Sequence, residues 1–265
     1  MKQIITALLV LSAVISQAQE EIIGKVEYIR TLNFSGEATG MEFDLLIGRT
    51  GSMFIEQKKE ETGDSIKIES ESDDQFALVF NVTYGTENLY AVETDLQGKM
   101  IRSRLSIYKG GKSQTVIVDE KIQPVEWKLY EEFKSIGGLT CQKATGQFRG
   151  REYTAWFSRQ IPSRLGPWKL NGLPGLIMEA KDATNQVMFY ATHVNFPYNA
   201  EKAIMPQINE KGFEIITLEE YVGEKRNQVD QMLSLVNSKL PRGATMTVLN
   251  ETSNELELKY EFEKN

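Results

Sequence analysis

One histidine, His193, and one cysteine, Cys141, are the chain's whole supply of imidazole and thiol. Together they would make a Cys–His dyad, in which the imidazole draws the proton from a nucleophilic sulfur. The surroundings speak against it. His193 falls in a strand-like run with the parity of Val187, Phe189 and Ala191, the setting of a packed or rim histidine. Cys141 shares a face with Leu139 and lies in no recognisable nucleophile motif. The nine methionines are scattered, so no soft-metal site is indicated. Asp73-Asp74 reads as a solvated turn, and Glu219-Glu220 as the acidic first turn of a helix. Gly110-Gly111-Lys112-Ser113 mimics the end of a P-loop, but Ser106 stands where the first glycine is required and a strand follows instead of a helix. No catalytic, cofactor-binding or metal-ligating residue is expected.

The chemistry that remains is recognition. Arg149, Arg151, Tyr153 and Trp156 stand just before a stretch that carries Trp168, with Arg159 and Arg164 between. Tryptophan and arginine dominate binding hot spots, so Arg149, Arg151, Trp156, Trp168 and Leu173 form a candidate recognition surface. The plainer alternative is a core with aromatic anchors and a basic rim. The two separate on one property: a recognition surface requires Trp168 to be at least partly exposed.

These side chains are carried on Ile161–Ile177, IPSRLGPWKLNGLPGLI, which holds three of the chain's seven prolines. Proline fixes φ and glycine admits φ > 0, so Leu173-Pro174-Gly175-Leu176 reads as a type II turn with Gly175 at φ > 0. Asn171-Gly172 just upstream is a second turn dipeptide. Gly172, Pro174 and Gly175 are thus the structural turn residues of a stiff, reversing loop between two strands.

Strand patterns position this loop. Ile22 to Phe34, Met41 to Ile47, Ser52 to Gln57, Phe76 to Val82, Asn88 to Thr94 and Lys99 to Tyr108 are β-branched and aromatic runs split by turns. Thr115 to Val118, Glu126 to Phe133, Thr140 to Thr145, Glu152 to Phe157, Leu176 to Ala180 and Gln186 to Phe196 continue the series. One strong helix is expected over Leu218 to Leu240. Thr217 is its N-cap, Glu220 completes a capping box, and Pro241 stops it. A last strand, Glu255 to Phe262, sets Leu256, Leu258, Tyr260 and Phe262 on one face and glutamates on a wet one. The fold class is α+β: a large antiparallel β-sheet with a late C-terminal helix packed on it.

Residues 1–18 read as a signal peptide. Lys2 gives the positive region, Ile4 to Ile15 the apolar run, and Ser16-Gln17-Ala18 the cleavage site. That run is too short to span a bilayer, and no other segment approaches the length needed. Cleavage after Ala18 leaves Gln19 and not cysteine at the new terminus, so an exported, periplasmic or extracellular protein without a lipid anchor is expected. Residues 19–265 carry no linker and no repeat and read as one domain. Acidic residues exceed basic ones, 37 to 30, which argues against nucleic acid as a partner. With one cysteine the fold has no internal disulfide and must hold through its core.

The run from Gly138 to Ile177 resembles the signature block of the GLPGLI family of exported bacterial proteins. The hexapeptide stands at Gly172 to Ile177, preceded by Cys-x-Lys-Ala at Cys141 to Ala144, RGR at Arg149 to Arg151, AW at Ala155-Trp156 and GP at Gly166-Pro167. The family is uncharacterised, so the resemblance implies an exported location and a strand-rich fold but no reaction. More loosely, a sheet wrapping a late helix is similar to the half-barrel of periplasmic lipoprotein carriers, an analogy of fold alone. Three functions follow as expectations. The first is a non-enzymatic binding or carrier module for an apolar ligand or an envelope protein. The second is an accessory subunit of outer-membrane transport or secretion machinery, and the third an envelope hydrolase with a site no motif announces.

Overall fold

The computed structural model describes residues 20–34, 36–57, 90–109, 112–199, 203–239 and 255–263. The expected signal peptide, the strand over Phe76 to Val82 and the helix end at Leu240 lie outside them. Eleven strands follow in order: β1 (Gly24–Leu32), β2 (Thr39–Ile47), β3 (Gly51–Glu56), β4 (Ala91–Asp95), β5 (Met100–Lys109), β6 (Lys112–Lys121), β7 (Lys128–Ile136), β8 (Leu139–Phe148), β9 (Arg151–Ser158), β10 (Leu176–Asp182) and β11 (Val187–Asn195). A short β12 (Glu214–Thr217) leads directly into the helix α1 (Leu218–Lys239). All twelve strands form one sheet in the order β12-β6-β5-β4-β3-β2-β1-β11-β10-β9-β8-β7. Two antiparallel meanders, β1 to β6 and β7 to β11, are thus joined where β11 pairs with β1.

The fold is α+β as the residue patterns require, with one exception at an edge: β12 runs parallel to β6. The helix begins on the expected capping box. The Thr217 backbone N–H donates to the Glu220 carboxylate at 2.7 Å, and the Glu220 N–H donates back to the Thr217 hydroxyl at 3.2 Å. Leu218 and Val222 then pack with Ile107, Val116 and Val118 of β5 and β6.

The sheet is strongly curled. β6 is second and β7 twelfth in the sheet order, which in a flat sheet would part them by roughly 48 Å at about 4.8 Å per strand. The connection between them, residues 122–127, can span only about 25 Å. An ion pair makes the same point. Glu120, near the end of β6, lies 2.7 Å from Arg149 in the β8–β9 turn. The result is an open half-barrel whose inner face carries Val26, Tyr28, Phe43, Leu45, Phe54, Tyr153, Ala155, Phe157 and Phe189 in one core.

The last segment differs from its sequence pattern. Residues 255–263 form no strand, and among the described residues only the N–H groups of Leu258 and Lys259 reach a neighbouring segment's backbone, both donating to the Arg149 carbonyl. The expected alternation of faces also fails, for Leu258 and Phe262 are exposed while Tyr260 and the Glu257 side chain are largely buried. Paired cations inside the half-barrel hold the glutamate there, and that attraction overrides the hydrophobic alternation.

Candidate functional site

Residues 159–175 join β9 to β10 and fill the half-barrel. Ile161, Leu165, Trp168, Leu170 and Leu173 all enter the central core. Trp168 is 2% exposed, stacked on Phe189 with centroids 5.9 Å apart and edge-on to Phe148 at 5.5 Å. The loop is pinned by main-chain bonds: the Leu176 N–H donates to the Ile161 carbonyl and the Gly172 N–H to the Arg164 carbonyl. From outside the loop, the Trp127 indole N–H donates to the Asn171 carbonyl at 2.8 Å.

The turn chemistry departs from the sequence reading. Gly172 sits at φ 94°, whereas Gly175 is not among the positive-φ residues, so Leu173 to Leu176 is not a type II turn. Gly175 is required for a different reason. A Cβ there would lie 2.3 Å from the Ser158 carbonyl oxygen, so only glycine lets the returning chain press on the end of β9. Trp168 itself takes φ 58°, a left-handed conformation that costs a non-glycine residue on the order of 1–3 kcal/mol. Burial of the indole between two rings offsets that strain.

The expected recognition surface is therefore corrected. Arg149, Arg151, Trp168 and Leu173 are all buried, so water, and with it a partner, does not reach them. Trp156 is half-buried and points the other way: Tyr153, Ala155 and Phe157 alternate inward along β9, which sends Trp156 to the outer face, under the Lys134 ammonium. The arginines bind inward instead. Arg149 meets Glu120 at 2.7 Å, Glu257 at 2.8 Å and Glu261 at 2.7 Å. Lys169, carried on the loop next to Trp168, meets Glu257 at 3.0 Å and also contacts Glu120. Burial alone would lower the Lys169 pKa, but Glu120 and Glu257 outweigh it and hold the ammonium above its ordinary value. Burial raises the Glu257 carboxyl, with Lys169 and Arg149 pulling against it.

Arg151 makes a second clamp. It donates to Asp182 at 2.8 Å, to Gln186, and to the carbonyls of Glu255 and Leu256. Between the two arginines, Gly150 at φ 82° leaves room for Leu258 and Lys259, which a Cβ would meet at 3.0 to 3.2 Å. The Arg-Gly-Arg triplet is thus the seat of residues 255–263. The motif residues were legible in the sequence, but the carboxylates they meet, Glu120, Asp182 and Glu257, come from distant segments and carry no local signal.

Cys141 is buried, and burial pushes its thiol up, away from the reactive thiolate. His193 is exposed on β11. Among the described residues, no group of three or more His, Cys, Asp or Glu stands where it could hold a metal ion. No described helix is long and apolar enough to cross a membrane.

An accessible feature lies at the rim. Among the described residues β7 is the last strand of the sheet, and it exposes Leu129 (41%) and Phe133 (55%) on the inner side, opposite Ala144 and Gln142 of β8. Below Phe133 a groove of about 400 Å³ is lined by Glu131, Thr140, Gln142, Phe157, Arg159 and Gln160. Sequence reasoning missed it, because Phe133 in an alternating strand looks like any core residue; only its place on the edge exposes it.

Residues 148–179, which include the Arg-Gly-Arg triplet and the whole loop, match the model of a family described as a protein of unknown function (Porph_ging). No curated protein matches the chain. Among solved structures, one of PNGF-II is similar at 14% identity and a TM-score of 0.51, over 79% of this chain and 33% of that one. A second crystal form of PNGF-II gives 14% and 0.49 over 77% and 32%. A DUF1329 family protein from Desulfovibrio piger gives 6% and 0.21 over 70% and 89%. The likeness to PNGF-II is one of fold, and this chain spans about a third of that structure's length.

Proposed function

We propose that this chain is an exported, non-enzymatic binding module of the GLPGLI type that takes a protein partner at the β7–β9 rim groove. The observation that carries the reading is Phe133, a large apolar side chain more than half exposed beside a groove of about 400 Å³ at the sheet edge. A strand at the edge of a sheet is a ready site for another polypeptide. The filled half-barrel favours a protein partner over an enclosed apolar ligand, since residues 159–175 occupy the inner face where such a ligand would lie. The buried acids and bases that might have served a hydrolase are spent on one another in ion pairs. A similar fold making up a third of a longer chain suits a module that works beside other units. Export rests on the Lys2 to Ala18 pattern, and the GLPGLI assignment on the Cys141 to Ile177 motifs.

A photo-reactive amino acid placed at Phe133 in the exporting cell tests the reading. We expect a discrete protein adduct from the envelope fraction, reproduced with the two purified proteins, and none from the same label at exposed Ile204. Equal labelling at both positions, or none at Phe133, would refute it.

A further inference from the structure

We propose that the rim groove reads the free carboxy-terminal end of its partner, with a large apolar side chain at the last position. This rests on the binding-module reading and names the chemistry of its partner. Phe133, Gln142 and Phe157 are cross-strand neighbours on β7, β8 and β9, so they form one row across the inner face, starting at the sheet edge. The row is two strand spacings long, roughly 10 Å, about the reach of three extended residues. Its outer end is an exposed aromatic ring, and Arg159 lines the same groove.

Arg159 is the positively charged residue of the groove. Arg102, Arg149, Arg151 and Arg226 each pair with a carboxylate, whereas exposed Arg159 has no carboxylate partner among the described residues and lies 5.8 Å from the Phe157 ring. A guanidinium in the same groove as an exposed phenyl ring is the complement of a carboxylate that follows an apolar side chain. The remaining lining decides between a peptide and an acyl chain. Gln142, Gln160 and Thr140 put amide and hydroxyl groups beside the row, and these match the polar backbone of a peptide and would go unused against a hydrocarbon tail. Glu131, also on the lining and without an ion pair among the described residues, adds a preference for a basic residue upstream.

The test is fluorescence anisotropy on the full chain with an N-terminally labelled pentapeptide, Ser-Lys-Ser-Phe-Phe, as free acid and as C-terminal amide. We expect the acid to bind at least tenfold tighter than the amide. Arg159→Gln should abolish that difference, and Phe133→Ser should weaken both forms. Both positions are exposed, so neither change disturbs the core. Equal binding of acid and amide, a preference that survives Arg159→Gln, or binding of dodecanoate in place of the peptide would each overturn the proposal. Such a failure is distinguishable from failure of the binding-module reading, because a protein adduct at Phe133 needs no free carboxylate.

Discussion

At the scale of the residue, Trp168 decides what the proline-rich loop is for. Its indole lies between Phe148 and Phe189 at the centre of the core, and its backbone is held in a conformation that only surrounding contacts can maintain. Trp168→Ala should therefore destabilise the fold by about 3–5 kcal/mol in urea melts, as large-to-small core changes do. A change under about 1 kcal/mol would mean that the ring is not part of the core. Asp182 gives a second prediction at this scale, one with a pH sign. Burial raises its pKa, but the Thr184 hydroxyl, the Val187 N–H and Arg151 outweigh burial and leave the carboxyl below its ordinary 3.8. Above pH 3.8 the carboxylate is ionised in folded and unfolded chains alike, and its stabilisation is fully present. As pH falls below 3.8 through the folded value, the unfolded chain takes the proton first and that stabilisation is lost. The stability gap between the protein and Asp182→Asn should accordingly be constant from pH 7 to 5 and close below about pH 3.8. A gap that stays open at pH 2 would contradict it.

At the scale of the element, α1 shows which signals survive into the structure and which do not. Its start was legible because a capping box is local: Thr217 and Glu220 satisfy each other's N–H groups within one turn. Its docking was legible at its first turns, since Leu218 and Val222 recur at helical spacing and both are buried against β5 and β6, while the side chains of the expected stripe from Val229 to Leu240 lie outside the described ones. Val222→Asp should thus cost on the order of 3 kcal/mol by burying a charge without a partner, while Asn227→Asp on the exposed side should leave the melting temperature unchanged. Equal effects would show that the helix face is assigned wrongly. Elements whose form depends on distant partners were not legible. Residues 255–262 alternate like a strand, yet Arg149 and Lys169, which lie 108 and 88 positions from Glu257, draw the glutamate inward and expose Leu258. β12 escaped notice because four residues before a helix cap carry no period, and only parallel pairing with β6 makes them a strand. Gly175 was rightly singled out but for the wrong reason, since the close approach of the Ser158 carbonyl comes from a neighbouring element and not from its own turn.

At the scale of the molecule, the half-barrel is closed by charge as much as by apolar packing. Residues 255–263 lie on Gly150 and supply Glu257 and Glu261 to cations that sit inside the cup. Without them, Arg149 and Lys169 would face Glu120 alone, two buried positive charges against one negative. Removing one side of such a buried pair costs about 3–5 kcal/mol, because the stranded charge has lost both water and its partner. For a chain of this size that corresponds to a fall in melting temperature of about 10 °C. Deleting residues 255–265 should produce that fall. Loss of apolar packing at Leu256 and Tyr260 contributes to the same number, so the deletion by itself does not isolate the electrostatic part. A second change does. Arg149→Met in the intact chain should destabilise, since it leaves Glu257 and Glu120 with one cation between them. In the shortened chain the same substitution should be neutral or stabilising, because it removes the stranded charge and keeps the side-chain volume. The reversal of sign between the two backgrounds is the expected result. The same loss in both would mean that Arg149 acts through its packing on Phe148 and not through the segment it holds, and the electrostatic account of closure would fall.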